Sequence, residues 1–152
     1  MTQAVGGGRN AAREMFEADA ASRALGIDLV ETGAGTATAR MRVTAAMLNG
    51  HQMMHGGYLF LLADTAFGCA CNSHGPVTVA AGADISFVAP ARLHDELTAV
   101  ASERTRYGRN GIYDVTVYRE GPGGQVTVAE FRGRSRTIGG NGELAGGRGE
   151  PR

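Results

Sequence analysis

The first part of the chain shows two kinds of hydrophobic spacing. Apolar residues recur at helical intervals over residues 11–23, directly after Asn10, which is a suitable N-cap residue. Apolar and polar residues then alternate over residues 27–31 and 36–44. The spacing predicts one helix followed by a hairpin of two half-buried strands.

The segment from His55 to Gly75 is the most distinctive one in the sequence. Between Tyr58 and Cys71, apolar residues occupy all sides of a helical wheel, which predicts a helix that is buried all round. Asp64 is the only charged residue of this run. A charge inside a buried helix indicates either a structural partner or a function.

Four strand-like segments follow, separated by turn signals such as the Asn110-Gly111 dipeptide. They cover residues 77–88, 96–107, 111–119 and 125–138. Strands and helices do not alternate along the chain, so we expect one sheet packed against the long helix. The pattern predicts an α+β fold in which an antiparallel β-sheet wraps around a long central helix.

Composition limits the number of domains and the kinds of partner. The 152 residues, 43% of them hydrophobic, suffice for a single domain, predicted over residues 10–138. The glycine-rich ends, residues 1–9 and 139–152, are expected to be flexible. A net charge of zero argues against nucleic-acid and membrane partners, and the absence of a secretory signal predicts a cytoplasmic protein. All fifteen basic residues are arginine, which excludes lysine chemistry and leaves arginine to bind any phosphate.

The cysteines and histidines form no standard metal-binding pattern. On a helix, Cys69 and Cys71 would point about 200° apart, and their spacing matches no zinc site. The same geometry disfavours a disulfide between them. We therefore expect no metal ion.

Asn49, His55, Gly56, Gly57 and Asp64 form the candidate catalytic set. The glycines fall where a loop enters the helix, so unpaired N–H groups at the positive end of the helix dipole would face a ligand there. Such donors stabilise an oxyanion on a polarised carbonyl. Burial would raise the pKa of Asp64, which suits a general base, and attack as a nucleophile is left equally open. The simpler alternatives for the carboxylate are the capping of a loop and a structural pairing with arginine.

The spacing of these groups leads to a prediction about assembly. Asp64 follows Gly57 by seven residues, which separates them by about 10 Å along a helix axis. One carbonyl carbon cannot easily contact both groups of one chain. We therefore predict a two-fold homodimer in which one subunit supplies the helix N-terminus and the other supplies Asp64.

Arginines near the end of the chain are candidates for binding a phosphate-bearing carrier. Arg132, Arg134 and Arg136 share one face of the last predicted strand, and Arg109 lies at a nearby turn. We assign Arg109, Arg134 and Arg136, together with Gly57, to substrate binding. A solvated outer face of the sheet is the alternative.

The stretch HGGYLFLLADTAFGCACNSHG, together with ISFVAPARLHDELTA, GIYDVTVYRE and AEFRGRSRTIGG, resembles the PaaI-like phenylacetyl-CoA and hydroxyphenylacetyl-CoA thioesterases. The similarity extends from Met15 to Gly140. It implies a hotdog fold that assembles as a homodimer and commonly as a homotetramer. It also implies hydrolysis of coenzyme A thioesters without a metal or organic cofactor, because coenzyme A is part of the substrate.

The resemblance also implies a role for each candidate residue. Asp64 would activate water or attack the thioester, and Gly56, with Gly57, would supply the oxyanion N–H. Asn49 would position the reacting groups, and His55 would shape the loop.

One position departs from the family pattern. Related thioesterases often carry serine or threonine at the start of the strand after the helix, to hold the water, whereas this chain reads Val-Ala-Ala-Gly over residues 79–82. Thr78 and Ser73 are the candidate substitutes.

These observations lead to one function and two alternatives. The first is hydrolysis of phenylacetyl-CoA or hydroxyphenylacetyl-CoA in phenylacetate degradation. A broad-range medium-chain acyl-CoA thioesterase would differ only in the shape of its pocket. A non-catalytic acyl-CoA sensor is the other alternative, which the missing hydroxyl favours.

Overall fold

The computed structural model describes residues 10–139. In chain order the elements are α1 (Ala11–Glu17), α2 (Ala20–Ala24), β1 (Asp28–Gly33), β2 (Thr36–Arg42), α3 (Gly56–Asn72), β3 (Val77–Phe87), β4 (Glu96–Tyr107), β5 (Asn110–Gly121) and β6 (Gly124–Gly139). The predicted flexible ends lie outside the described residues, except for Gly139, which is the last residue of β6. None of the helices among residues 10–139 combines the length and the apolar content needed to cross a membrane.

All six strands form one antiparallel sheet in the order β1-β2-β4-β5-β6-β3. The long helix α3 packs across one face of this sheet and contacts every strand. The prediction of an α+β fold with a sheet around a central helix is therefore confirmed. β1 and β3 are the two edge strands.

The core lies between α3 and the inner face of the sheet. Alternate residues of β5, namely Tyr113, Val115 and Val117, are fully buried there. The ring of Phe67 on α3 lies 5.6 Å from that of Tyr113 and 5.8 Å from that of Phe131, measured between ring centroids. These aromatic contacts fix the helix against the centre of the sheet.

Gly133 on β6 makes this close packing of helix and sheet possible. A Cβ atom at this position would stand 2.7 Å from three atoms of the buried Phe67 ring. We expect Gly133→Ala to lower the free energy of unfolding by about 1 to 3 kcal/mol, because the enclosed ring has no space to retreat. Denaturant unfolding would measure this, with Gly123→Ala as the control, because a Cβ at Gly123 meets nothing within 4 Å. Equal stability of the two variants would contradict the packing argument.

The prediction of one continuous helix over residues 11–23 is wrong. The N–H groups of Ala18 and Asp19 bond to carbonyls only three residues back, which tightens and ends α1. Asp19 then accepts the N–H of Ser22 through Oδ1 at 3.0 Å and caps a second helix. The capping residue therefore overrides the helical spacing of the apolar residues.

The prediction that α3 is buried all round is also wrong within one chain. The sheet covers one side, and Met15 of α1 lies over Gly68, with its Cε 3.7 Å from where a Cβ would stand. A strip at helical spacing stays less covered: Phe60 is 37% exposed, and Asp64 is half-buried. We call Gly57, Phe60 and Asp64 the open strip of α3.

Candidate active site

The loop that leads into α3 is held by backbone and side-chain hydrogen bonds. The N–H of His55 donates to the carbonyl of Met47 at 2.8 Å, and that of Met54 donates to Ala91 at 2.8 Å. His55 is the N-cap of α3, and its Nδ1 accepts the N–H of Gly57 at 3.0 Å. The position of the helix N-terminus is therefore well defined.

Gly56 carries the free donor of this N-terminus. Among residues 10–139 its N–H has no acceptor, whereas the N–H of Gly57 is engaged by His55. A Cβ at Gly56 would stand 2.8 Å from Cζ of Phe87, so the absence of a side chain lets this ring lie against the helix end. Of the two candidate glycines, Gly56 is the one that can donate to an oxyanion at the positive end of α3.

Asn49 lies on the same side of the loop as Gly56. Its Oδ1 accepts the N–H groups of His51 at 2.8 Å and Met53 at 3.2 Å, which closes the loop into a tight turn. Asn49 and Gly56 line one cavity of about 340 Å³. The other lining residues are Met53, Met54, Leu59, Phe87, Val88, Ala89, Pro90 and Ala91.

Asp64 lies in the middle of α3 on the open strip. Burial raises the pKa of its carboxyl above the usual value, and the nearby charge of Asp19 raises it further. Within the described part of the chain, Asp64 accepts no hydrogen bond and forms no ion pair, and Asn49 does not donate to it. Neither of the simpler alternatives, the capping of a loop or a structural pairing with arginine, is therefore seen within residues 10–139.

One chain does not bring Asp64 and Gly56 together. The helix is continuous from Gly56 to Asn72. Its rise therefore separates the two residues by about 12 Å along the axis. As the spacing in the sequence predicts, one carbonyl cannot contact both residues of the same chain.

Arg134 and Arg136 lie on the face of the sheet that points away from α3, and Arg109 lies in the turn between β4 and β5. Arg134 on β6 pairs with Asp84 on β3, with Nη1 and Oδ2 2.9 Å apart. Arg136 is exposed on the same outer face, and the carbonyl of Arg109 accepts the N–H of Thr137 at 2.7 Å. The three arginines are therefore near one another, as the strand pattern indicates.

Within one chain these arginines are far from the cavity. Arg136 pairs with Val79, whereas Phe87, which contacts Gly56, is eight residues further along β3. A strand of this length spans about 25 Å. Arg109 and Arg136 therefore belong to the opposite end of the sheet from the Gly56 cavity.

The two hydroxyls proposed as substitutes for the missing one are already engaged. Ser73 donates to the carbonyl of Ala70 at 2.7 Å and accepts the N–H of Gly35 at 2.8 Å. Thr78 contacts Pro76 and Thr137 at the same end of the sheet, beyond the C-terminus of α3.

The cysteines are free and buried, and burial raises the pKa of both thiols to about 12. Cys69 and Cys71 are therefore unreactive as thiolates at neutral pH. Among residues 10–139, no three histidine, cysteine, aspartate or glutamate side chains are placed to hold a metal ion.

Two features of the site were not found from the sequence. Phe87 contributes its ring to the cavity beside Gly56, and the available signal was a large apolar residue at the end of a strand before a proline. Asp19 acts on Asp64 from the α1–α2 turn, and the available signal was an aspartate three residues before Ser22, which is typical of a helix cap.

Comparisons with known proteins agree with this fold. A model of the thioesterase superfamily matches residues 51–125, which include the helix N-terminus and Asp64. The acyl-coenzyme A thioesterase PaaI of Escherichia coli (strain K12) is 49% identical over 129 residues, which are 85% of this chain and 90% of that protein.

Solved structures show the same similarity. The E. coli PaaI protein from the phenylacetic acid degradation operon superposes with a TM-score of 0.81 at 48% identity, over 86% of this chain and 92% of that one. A mutant of the phenylacetic acid degradation protein PaaI from Thermus thermophilus gives 0.72 at 32% identity, over 77% of this chain and 97% of that one. The chain therefore belongs to the thioesterase superfamily, with the hotdog fold, and is a relative of the PaaI acyl-CoA thioesterases.

Proposed function

We propose that this acyl-CoA thioesterase hydrolyses aryl- or arylacetyl-CoA thioesters, such as phenylacetyl-CoA or hydroxyphenylacetyl-CoA, to the free acid and coenzyme A. The observation that carries the proposal is the cavity shared by Asn49 and Gly56, in which a free N–H meets an apolar lining. The similarity to PaaI proteins, one of them from a phenylacetic acid degradation operon, supports a place in phenylacetate degradation.

The lining of the cavity favours an apolar acyl group. Asn49 contributes its only polar side chain, and the volume of about 340 Å³ is in the range of small-molecule pockets. The ring of Phe87 beside Gly56 offers an aromatic face next to the place where the carbonyl would bind. Aromatic rings pack favourably against one another, which supports an aryl group in preference to a straight chain.

In the proposed reaction, Gly56 and Asp64 act on the same thioester carbonyl. The thioester oxygen accepts the N–H of Gly56, so that negative charge forming on it meets a preorganised donor at the positive end of α3. Asp64 removes a proton from water, which attacks the carbonyl carbon, and coenzyme A leaves as the thiolate. Attack by Asp64 itself, followed by hydrolysis of the anhydride, uses the same groups. Both routes require Asp64 in its ionised form.

A homodimer would bring Gly56 of one subunit to Asp64 of the other. β3 is an edge strand whose second side pairs with no strand among residues 10–139, and Val79, Phe87 and Val88 on and after it are 38%, 56% and 57% exposed. A long apolar edge of this kind favours pairing with another strand. Antiparallel pairing of two β3 strands across a two-fold axis would set the open strips of the α3 helices side by side in opposite directions. Further pairing into a homotetramer is compatible with this dimer.

The same arrangement would give the distant arginines a function. In an antiparallel β3 pair, the end of one strand lies beside the start of the other, so Arg109 and Arg136 of one subunit approach the Gly56 cavity of its partner. Arg134 is nearer the middle of the strand. Guanidinium groups at this position suit the phosphates of coenzyme A. The proposed reaction needs no cofactor, because coenzyme A is part of the substrate. The free cysteines are compatible with the reducing conditions of a cytoplasm.

Release of free thiol from a panel of substrates tests the proposed function. The panel contains phenylacetyl-, hydroxyphenylacetyl-, benzoyl- and straight-chain acyl-CoA. We expect the highest kcat/KM for the aryl substrates. A preference for straight chains would replace the proposal with a medium-chain thioesterase. Binding of acyl-CoA without thiol release would replace it with a sensor.

A further inference from the structure

The turn between α1 and α2 carries a second carboxylate that is anchored to the same helix as Asp64. Oδ2 of Asp19 accepts the hydroxyl of Ser22 at 2.5 Å, and Oγ of Ser22 lies 2.8 Å from Oγ1 of Thr65. Thr65 follows Asp64 directly on α3. A continuous chain of hydrogen bonds therefore connects Asp19 to the residue next to the candidate base.

This chain of hydrogen bonds is buried and directional. Ser22 is 1% exposed and has a single hydroxyl proton, which it donates to Asp19. Thr65 donates to the carbonyl of Leu61 at 2.9 Å, and its Oγ1 also lies within hydrogen-bonding distance of Oγ of Ser22.

The position of Asp19 is determined by more than this network. Its Oδ1 caps α2 by accepting the N–H of Ser22, so both carboxylate oxygens are held. α1 and α2 pack directly on α3, with Met15 over Gly68 one helical turn beyond Asp64. The carboxylate cannot swing away without breaking the cap and the buried hydrogen bonds.

We propose that Asp19 is a positioning residue of the active site, whose carboxylate is anchored through Ser22 to Thr65 and acts electrostatically on the neighbouring Asp64. The inference rests on the proposed function, because it assigns a role to Asp19 through Asp64. It makes the α1–α2 hairpin part of the catalytic machinery as well as a cover for the helix.

Few other charged or titratable groups face Asp64. Cys69 and Cys71 on α3 stay protonated, because burial raises their pKa, and Arg13 on α1 acts on Cys69. The strands packed against α3 present apolar side chains such as alanine and valine on their inner faces, with Tyr113 near the far end. Within the described residues, Asp19 is the one charged group that contributes to the raised pKa of Asp64.

The charge of Asp19 has a defined effect on the pH profile. A nearby negative charge disfavours ionisation, so it raises the pKa of Asp64, and its removal lowers that pKa. Since the ionised form of Asp64 is the active one, the acidic limb of kcat moves to lower pH when the charge is removed. The plateau rate falls at the same time, because a weaker base accepts a proton less readily.

Asp19→Asn tests this effect, because asparagine is an equally good N-cap, and the substitution removes the charge together with one of the two oxygens that accept hydrogen bonds from Ser22. The matched control is Glu17→Gln, which removes a charge from an exposed position on the same hairpin. The measurement is kcat for thioester hydrolysis against pH. For each protein, kcat at a given pH is divided by its own plateau kcat. At a pH below the midpoint of the wild-type profile, we expect this fraction to be at least about twofold larger for Asp19→Asn than for wild type. Glu17→Gln should follow wild type.

Asp19→Ser, which also keeps a capping oxygen, replaces Asp19→Asn if that variant does not fold. A profile of either variant that superposes on those of wild type and Glu17→Gln would overturn the inference. Wild type and Asp64→Asn separate this result from a failure of the proposed function. If wild type releases no thiol, the proposed function fails. If Asp64→Asn retains turnover, the catalytic role of Asp64 fails, and the role of Asp19 fails with it. If Asp64→Asn is inactive and the Asp19 profile is unchanged, only the role of Asp19 fails.

Discussion

Replacement of Asp64 by asparagine is expected to lower kcat by about 10² to 10⁴-fold, the usual contribution of a general base. Asparagine has nearly the same shape as aspartate but cannot accept a proton from water or attack a thioester. Steady-state thiol release from phenylacetyl-CoA, compared between wild type and Asp64→Asn, measures the effect. The KM should change little, because the cavity beside Gly56 is not touched.

The same substitution should leave the fold intact. Burial raises the pKa of Asp64, so the folded chain holds this proton to higher pH than the unfolded chain does. The folded state therefore loses stability as pH rises through the raised pKa of the folded chain. Below the pKa that Asp64 has in the unfolded chain, this loss is absent. Asp64→Asn removes the ionisation, so its melting temperature at neutral pH should equal or exceed that of wild type. A stable variant with an unchanged kcat would exclude Asp64 as the catalytic carboxylate.

Replacement of Gly56 by proline is expected to lower kcat by about 10² to 10³-fold, the loss observed when one oxyanion donor is removed. Gly56 is the first residue of α3, where proline is well tolerated, and His55 before it has the extended ψ of 133° that proline requires. The N–H that is lost makes no hydrogen bond among residues 10–139. The helix should therefore form normally without its free donor.

Gly56→Ala is the matched control for this experiment. Alanine, like proline, places a Cβ where the ring of Phe87 must move, because the distance to Cζ is 2.8 Å, but it keeps the N–H. Phe87 is exposed and can retreat. We expect Gly56→Ala to lose far less activity than Gly56→Pro. Equal losses would show that the space beside Phe87 matters and that the N–H does not.

Much of the fold could be predicted because its determinants are local. The alternation of residues along β2 and the turn signals indicated the strands, and the apolar run around Asp64 indicated α3. The break at Asp19 could not be read from hydrophobic spacing, because it depends on one side chain that captures the N–H of Ser22. The open strip of α3 depends on how far a six-stranded sheet reaches around the helix, which is a property of the whole sheet.

The candidate site was predicted in part for the same reason. Asn49 lies in the short loop before α3 and Gly56 is the first residue of that helix, so the structure places them together as the sequence indicated. The engagement of Gly57 by the ring of His55 depends on a side-chain rotamer and could not be predicted from spacing. The place of Phe87 against Gly56 depends on strand order, since β3 and the start of α3 meet only in the folded chain.

The proposed site between subunits is tested most directly by mixing two inactive variants. Asp64→Asn and Gly56→Pro chains are combined, unfolded and refolded together, and thiol release is compared with that of each variant alone. If each site takes Asp64 from one subunit and Gly56 from the other, every heterodimer contains one intact site. A random mixture should then recover about a quarter of the wild-type rate. Activity no higher than the sum of the two variants alone would contradict a shared site.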